Sequence, residues 1–150
     1  MKKAEPVKIA VIVLILITAV VATCYLTTRS AASEGTLRIE NGGRVIELPL
    51  ERLKFIPVRG TAVNGKGEER TVNGQGVLLS EVLREAGISE FTEVTVTADD
   101  AYNAVVTEEE IAEPDRVYLI KQDEGGLRLV VFGDSNSKRS VSDVVSLSVK

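Results

Sequence analysis

The chain has 150 residues, of which 44% are hydrophobic and 27% are charged, a length and balance typical of one globular domain. Its acidic side chains outnumber its basic ones by 22 to 18, which argues against binding to nucleic acid. It contains no histidine and one cysteine, Cys24, so the commonest general base and the usual imidazole and thiolate ligands of transition metals are excluded from most of the chain.

The N-terminal region contains an apolar segment, Ile9–Thr28, of twenty residues without a charge. A helix of this length spans about 30 Å, the thickness of the hydrocarbon core of a bilayer. Three lysines precede the segment and Arg29 alone follows it closely, so the positive-inside rule places the N-terminus in the cytoplasm. We therefore predict a single-pass protein of the cell membrane with these parts: a cytoplasmic basic N-terminus (1–8), a transmembrane signal anchor (9–28), a tether (29–35) and an extracytoplasmic domain (36–150).

Two alternatives to a retained anchor stay open. A cleaved signal peptide has an apolar region of about 7–15 residues, which is shorter than this one. A lipoprotein signal is the other alternative, because Val21-Ala22-Thr23-Cys24 resembles a bacterial lipobox, and Cys24 would then carry the lipid. Each alternative places the domain outside the cytoplasmic membrane. From Ser30 onward the chain has fourteen basic and twenty-one acidic side chains, which also argues against docking on anionic lipid.

The first part of the domain is predicted to consist of strands and tight turns, because its aliphatic side chains alternate between Gly, Pro and Asn signals. The predicted elements are strands Thr36–Glu40 and Arg44–Leu48 around the turn Asn41-Gly42-Gly43, a helical turn from Pro49 to Leu53, an extended stretch Phe55–Val63, and a hairpin Arg59–Thr71 with an exposed tip.

A short helix is predicted within Gly76–Ile88, GVLLSEVLREAGI. Apolar side chains recur there at positions i, i+3, i+4 and i+7, which places them on one face: Leu79, Val82, Leu83 and Ala86. Gly87 stands where a left-handed C-terminal cap is expected, and Ile88 beyond it can fold back on the last turn.

The second half continues the alternation of strands and turns. Its predicted elements are strands Glu93–Ala98 and Tyr102–Val106, a helix that begins at the capping box Thr107–Glu110 and ends before Pro114, strands Val117–Ile120 and Leu127–Phe132 around the turn Asp123–Gly126, a polar loop Gly133–Arg139, and a last strand Val145–Val149. Seven to nine short strands with two or three short helices predict a sheet-rich, mixed α+β domain.

Three stretches, in this order along the chain, resemble one family. They are GVLLSEVLREAGI with the preceding PLERLKFIPVRGTAVNGKGEER, then VTVTADDAYNAVVTEEEI, and last GGLRLVVFGDSNSKRSVSDVVSLSV. The pattern resembles the oxidoreductase molybdopterin-binding domain, the sulfite-oxidase fold, in its short single-domain form, over roughly Leu37–Val149. That family's usual run is a GV-L-x-x-L-L-x-x-A-G helix, a D-G-Y strand turn and an L-R-L-V-V-P-G strand. The resemblance implies a sulfite-oxidase-like fold and, taken alone, molybdopterin as cofactor.

The chain differs from the family's pattern at positions that the family's enzymes use to hold their metal and to form their active site. The family's enzymes ligate molybdenum with a cysteine thiolate from the region before the helix, where this chain offers Val63, Asn64 and Gly65. The D-G-Y turn is Asp100-Ala101-Tyr102, with alanine in the glycine position. A soft, redox-active metal held without thiolate or imidazole would be unusual. The resemblance therefore implies the fold without the catalysis, and we predict no metal and no cofactor.

Five residues are candidates for binding a ligand, and none is a candidate for catalysis. Arg128 interrupts the apolar run LRLVVF and has the fork geometry for a carboxylate or phosphate; the alternatives are a residue on the outer face of a half-exposed strand and one in a structural ion pair. Asp100 and Tyr102 stand at a strand turn that faces the pocket in the resembled fold, with ordinary turn chemistry as the alternative. Arg59 and Asn64 belong to the loop that replaces the metal-ligand segment, with an exposed hairpin tip as the alternative.

We therefore predict a membrane-anchored, extracytoplasmic, non-catalytic domain that binds a small anionic ligand or a membrane-protein partner. A second hypothesis is that the chain is an enzyme, a molybdopterin-dependent oxidoreductase that holds its cofactor without a protein thiolate. A third is an envelope scaffold without a ligand. The lipid bilayer, reached through the N-terminal helix, is the partner that the sequence itself indicates.

Overall fold

The computed structural model describes residues 10–20 and 35–150, which belong to two separate compact units. Residues 10–20 are helical (α1), and their large aliphatic side chains are 46–64% exposed. No helix within the described residues is long and apolar enough to cross a membrane. The predicted anchor, Ile9–Thr28, extends beyond the described residues at both ends, and Cys24 lies outside them.

The domain is a sheet-rich, mixed α+β fold, as the sequence predicts. Its elements are β1 (Thr36–Asn41), β2 (Arg44–Pro49), β3 (Ile56–Val63), β4 (Glu69–Leu78), α2 (Leu79–Glu85), β5 (Glu93–Ala98), β6 (Asn103–Thr107), α3 (Glu108–Ala112), β7 (Val117–Lys121), β8 (Leu127–Val131) and β9 (Val144–Val149), with single 3-10 turns at Leu50–Arg52 and Ser137–Arg139. The predicted strands are all present, with ends displaced by a residue or two except at β4, which runs on to Leu78 and leads directly into α2.

The nine strands form two sheets. The five-stranded sheet has the order β2-β1-β9-β5-β6, and the four-stranded sheet has the order β3-β4-β7-β8. All neighbouring strands are antiparallel except β1 and β9, which run parallel and so join the beginning of the domain to its end. Four of the antiparallel pairs join consecutive strands at the turns that the sequence predicts, namely β1–β2, β3–β4, β5–β6 and β7–β8.

The main hydrophobic core combines side chains of both sheets and of the two domain helices. It includes Ile39, Val96 and Leu147 of the five-stranded sheet, Leu119 and Leu129 of the four-stranded sheet, Leu79, Val82 and Leu83 of α2, and Ile111 of α3, each no more than 4% exposed. Burial of these side chains is the dominant favourable contribution to folding. The predicted apolar stripe of α2 is therefore its core face, with Ala86 packed at the edge of the cluster.

The ends of both domain helices follow their sequence signals. Gly87 has φ +75°, and the N–H groups of Gly87 and Ile88 donate to the carbonyls of Arg84 and Leu83 at 3.0 and 2.9 Å. This pair of bonds is the Schellman motif, which satisfies carbonyls that the helix end would leave unpaired. At α3, the Thr107 hydroxyl accepts from the backbone N–H of Glu110, whose carboxylate accepts from the backbone of Thr107 in return. The predicted caps are confirmed.

Candidate functional site

Arg128 lies on the face of the four-stranded sheet that is turned away from the main core. Its neighbours Leu127 and Leu129 are buried in that core, and side chains alternate between the faces of a strand. Arg128 is therefore on the opposite, outer face, where it stands directly across from Ile120 of β7. A second hydrophobic cluster covers this outer face and is formed by Val58, Tyr118, Ile120 and Val130, with Phe132 packed against it.

Two glycines of β4 make room for this outer cluster. A Cβ on Gly74 would lie 3.0 Å from Cγ2 of Ile120, and a Cβ on Gly76 would lie 3.1 Å from Cγ1 of the same side chain. The Ile120 side chain thus lies directly over the backbone of β4, where any larger residue would displace it. Glycine has a low propensity for strands, and the close approach of Ile120 explains why two glycines nevertheless occur within β4.

The Arg128 guanidinium is held by a hydroxyl group and not by a carboxylate. Its Nε–H and Nη2–H both donate to Oγ of Ser140, at 3.0 and 2.8 Å. Ser140 is placed there because the N–H of Leu129 donates to the carbonyl of Val141 at 2.8 Å, which ties the β8–β9 loop (residues 132–143) to β8. Among the described residues, no carboxylate forms an ion pair with Arg128.

An open pocket of about 420 Å³ lies beside this arginine, and we call it the Arg128 pocket. Its apolar lining consists of Val72, Ile120 and Val130, and its polar lining consists of Asn73, Lys121, Gln122, Asp123, Glu124 and Asp143, in addition to Arg128. The volume lies in the range of small-molecule sites, and the lining is mostly polar, with a smaller apolar part. The pocket is therefore the candidate ligand site of the domain.

The predicted site residue Arg59 does not share a face with Arg128. Arg59 pairs with Asn73 of β4, four residues before the core residue Val77, so it projects from the core-side face of the sheet. Because Arg128 is on the outer face, the two guanidinium groups do not converge on one ligand. Arg59 is exposed, as an arginine on the edge strand β3.

Asn64 forms the tip of the β3–β4 hairpin. Its Oδ1 accepts from the backbone N–H groups of Lys66 and Glu68 at 2.9 and 3.0 Å, and its Nδ2 donates to the Glu68 carboxylate at 2.9 Å. The side chain is thus engaged within its own turn, in the way that asparagine commonly stabilises loops. An amide committed to a turn does not fit the role of a molybdenum ligand, for which the resembled enzymes use a thiolate.

Asp100 and Tyr102 flank a turn whose central residue, Ala101, has φ +68°. Oδ1 of Asp100 accepts from the backbone N–H of Tyr102 at 2.9 Å, so this carboxylate stabilises the turn. The Tyr102 hydroxyl donates to the carbonyl of Lys138. Tyr102 and Arg128 are accordingly brought to the same β8–β9 loop, at Lys138 and at Ser140. The left-handed φ of Ala101 is the conformation that favours the glycine of the family's D-G-Y turn.

A second open pocket, of about 440 Å³, adjoins the Arg128 pocket. The two share Glu124, Gly125 and Asp143, and the second is also lined by Asp99 and by aliphatic side chains such as Leu37 and Leu127. The sequence contains no calcium-loop spacing around Asp99, and within the described residues no three carboxylates are grouped as for a metal ion. This pocket therefore has apolar walls and acidic edges, and its described carboxylates do not form a group that could coordinate a metal ion.

An ion-pair network that the sequence does not predict anchors the β8–β9 loop. Arg139 contacts Asp134 and Glu110, each with a nitrogen–oxygen distance of 2.6 Å, and Arg116 contacts Glu113 at 2.5 Å and Glu110 at 3.7 Å. Burial alone would raise the pKa of Glu110, but the Thr107 backbone hydrogen bond and Arg139 outweigh it and hold this pKa below its ordinary value. Burial is likewise outweighed at Asp134, whose pKa is lowered by Arg139 and by the Asn136 backbone.

No protein-family model matches the chain, and a search of curated proteins finds no similar sequence. The resemblance to the molybdopterin-binding domain therefore depends on the three sequence stretches and remains a prediction. What the structure establishes is the coarser statement, a sheet-rich α+β domain with two short helices, α2 and α3, in addition to the N-terminal helix α1.

Proposed function

We propose that this chain is a membrane-anchored, extracytoplasmic binding domain without catalytic activity, and that its ligand is a small molecule with an anionic group held by Arg128. One observation carries the proposal. The half-buried arginines Arg116 and Arg139 each pair with carboxylates, whereas the half-buried Arg128 contacts only the neutral hydroxyl of Ser140 among the described hydrogen-bond partners. A partly buried charge without a counter-ion costs free energy, which an anionic ligand would recover.

The geometry at Ser140 supports an anion-binding role over a structural one. The serine oxygen occupies the Nε and Nη2 side of the guanidinium and so fixes its plane. The donors at the Nη1 end are then oriented for a carboxylate or phosphate, which binds arginine through two parallel hydrogen bonds. A pre-oriented arginine loses little side-chain entropy when the ligand binds.

The proposal of a non-catalytic role rests on the chemistry of the side chains. The chain lacks histidine, its single cysteine is in the N-terminal segment, and the loop at Val63 and Asn64 supplies no soft metal ligand. The sulfite-oxidase-like architecture is part of the proposal, and the left-handed Ala101 in the family's D-G-Y position supports it. We propose that this scaffold has kept a ligand pocket and lost the metal-binding thiolate.

The membrane location is supported by the sequence and by the exposure of α1. The segment Ile9–Thr28 contains no charge, and the aliphatic side chains of residues 11–20 are exposed, which is unfavourable in water and favourable in lipid. Intact mass spectrometry of protein extracted from membranes tests this part. An unmodified N-terminus supports the anchor, whereas cleavage at Cys24 with added lipid mass would establish the lipoprotein alternative.

Ligand binding is tested by calorimetric titration of the full-length protein, purified in detergent, with acetate, succinate and inorganic phosphate. We expect at least one of these anions to bind, and Arg128→Gln to weaken it by about tenfold or more, because a charge-assisted hydrogen bond contributes about 1.5–3 kcal/mol. Arg59→Gln, on the other face of the sheet, is the matched control and should leave the affinity unchanged. Equal losses in both variants, or no binding of any anion, would contradict the proposal.

The same preparation distinguishes the two rival hypotheses. Stoichiometric molybdenum and pterin in the purified protein would support the oxidoreductase and refute the non-catalytic role. A domain that binds no anion and no cofactor, and whose stability does not respond to Arg128→Gln, would support the scaffold.

A further inference from the structure

Asparagine is followed directly by glycine at three places in the chain, Asn41, Asn64 and Asn73. An Asn–Gly step is chemically reactive because glycine has no Cβ to obstruct the approach of its backbone nitrogen to the asparagine side chain. We propose that Asn64 is a site at which the folded chain modifies itself: the nitrogen of Gly65 attacks the side-chain amide of Asn64, and an aspartyl residue replaces the asparagine. This site lies at the tip of the β3–β4 hairpin and does not depend on the proposed ligand site at Arg128.

The other two Asn–Gly steps lie in strands. Asn41 is the last residue of β1 and is paired with β2 on one side and with β9 on the other. Asn73 lies within β4 and is paired with β3, and the side chain of Ile120 packs on the backbone of the following Gly74. Ring closure would rotate the asparagine backbone out of the extended conformation, so a strand must open before the reaction can occur. The fold therefore opposes the reaction at Asn41 and Asn73.

Asn64, in contrast, lies in the turn that connects β3 to β4. Gly65 is exposed, and within the part of the chain that the structure describes its N–H donates to no acceptor. Oδ1 of Asn64 accepts from the N–H of Lys66, two residues further on, which folds the side chain back over the peptide group that contains the Gly65 nitrogen. The nucleophile and the carbonyl that it attacks therefore belong to one tight turn.

Two backbone donors face the oxygen on which negative charge develops during the attack. The N–H groups of Lys66 and Glu68 lie 2.9 and 3.0 Å from Oδ1 of Asn64. Donors aimed at a developing oxyanion stabilise the tetrahedral intermediate of an acyl transfer. The Glu68 carboxylate accepts from Nδ2 of Asn64 at 2.9 Å, and its charge favours protonation of this nitrogen, which has to leave as ammonia. The turn therefore promotes both the attack and the departure of the leaving group.

The atoms of the reaction balance with water as the one co-reactant. The bond from the Gly65 nitrogen to Cγ of Asn64 forms, the bond from Cγ to Nδ2 breaks, and ammonia carries away a proton equivalent to the one that the Gly65 nitrogen loses. Water then opens the cyclic imide at either carbonyl and leaves aspartate or isoaspartate. In both products a carboxylate replaces the amide that donated to Glu68, so two negative groups lie together and the hairpin tip is destabilised.

Peptide mapping of the full-length protein in detergent, incubated for days at mildly alkaline pH, follows the three steps separately. Trypsin places them in different peptides, residues 39–44, 60–66 and 71–84, and mass spectrometry detects the change from amide to acid in each. A matched sample unfolded in guanidinium chloride gives the rates that the local sequence alone produces. We expect Asn64 to react at least as fast in the folded protein as in the unfolded one. Asn41 and Asn73 should react roughly tenfold or more slowly when the protein is folded.

Variants assign the effect to the turn. Gly65→Ala adds a Cβ that meets no described atom within 4 Å and obstructs the nucleophile, so the reaction at Asn64 should slow by about tenfold while the fold is kept. Glu68→Gln retains an acceptor for Nδ2 but removes the charge, and it should slow the reaction by roughly threefold. Glu69→Gln, which changes the adjacent acid at the start of β4, is the matched control and should leave the rate unchanged.

Two kinds of result would overturn the proposal. If Asn64 reacts more slowly in the folded protein than in the unfolded one, the turn protects the amide and does not activate it. If Asn41 or Asn73 reacts as fast as Asn64 in the folded protein, or if Glu69→Gln slows the reaction as much as Glu68→Gln, the contacts of this turn are not the cause.

Discussion

Replacement of Gly60 by alanine should destabilise the domain through one contact on the outer face of the four-stranded sheet. A Cβ at this position would lie 2.6 Å from both Cδ1 and Cε1 of Phe132 and 2.9 Å from Cζ. The ring cannot simply turn away, because it packs edge-on against Tyr118 with the centroids 5.6 Å apart. Overpacking costs about 1–3 kcal/mol, and the reduced backbone entropy of unfolded alanine offsets about 0.5–1 kcal/mol of it. We expect a net loss of about 1–2 kcal/mol.

The assay is thermal and urea denaturation of the full-length protein, followed by far-ultraviolet circular dichroism. A loss of this size should lower the midpoint of thermal unfolding by roughly 4–8 °C in a domain of about 115 residues. Gly65→Ala is the matched control, since Gly65 lies in the hairpin tip and none of the described atoms would come within 4 Å of its Cβ. In the double variant with Phe132→Leu, the cost of Gly60→Ala should shrink. Equal stability of the two alanine variants would refute the packing of Phe132 on Gly60.

Three further predictions concern turn and charge chemistry. Ala101→Gly should raise stability by about 0.5 kcal/mol in thermal denaturation, because alanine is strained at φ +68°; a lower midpoint would contradict it. Burial, and after it the Asp115 hydrogen bond, raise the pKa of Tyr118 to about 12. Ultraviolet titration should therefore show one tyrosine that ionises near pH 12, and this transition should be absent in Tyr118→Phe. The free energy of unfolding should fall as the pH rises from about 10 through 12. The pKa values of Glu110 and Asp134 are lowered, which means that the folded state favours their charged forms. These two carboxylates therefore stabilise the fold at neutral pH, and this contribution is lost on acidification below about pH 4. Arg139→Gln should therefore cost about 1–2 kcal/mol at neutral pH and flatten this acid dependence, and an unchanged acid profile would refute the network.

The features that the sequence predicts correctly are local ones. The Schellman cap at Gly87, the capping box at Thr107 and the turns of the hairpins each depend on residues within a few positions of one another. Such signals act through backbone conformation and short-range hydrogen bonds, which one sequence specifies directly. The alternation of β5 likewise predicts its half-buried position, and its observed bounds, Glu93–Ala98, are those predicted.

The features that the sequence does not predict depend on pairing across long distances. The parallel pair β1–β9 joins strands about one hundred residues apart, for which no turn signal exists. The Ser140 contact of Arg128 depends on where the β8–β9 loop lies, and a polar loop has no periodicity that would indicate it. Glycine is a residue typical of turns, but Gly74 and Gly76 lie within β4, where the side chain of Ile120 packs directly on their backbone. In each case tertiary packing determines a role that local propensity leaves open.

The β8–β9 loop connects these findings, because each part of the candidate site depends on it. Tyr102 of the β5–β6 hairpin binds its backbone at Lys138, α3 binds it through Glu110 and Arg139, and the loop in turn presents Ser140 to Arg128. A loop fixed at three points keeps the hydroxyl of Ser140 in place without a bound ligand, so the arginine is oriented in advance. The contacts of this loop with Tyr102, Glu110 and Arg128 thus determine where the guanidinium of Arg128 lies beside the pocket.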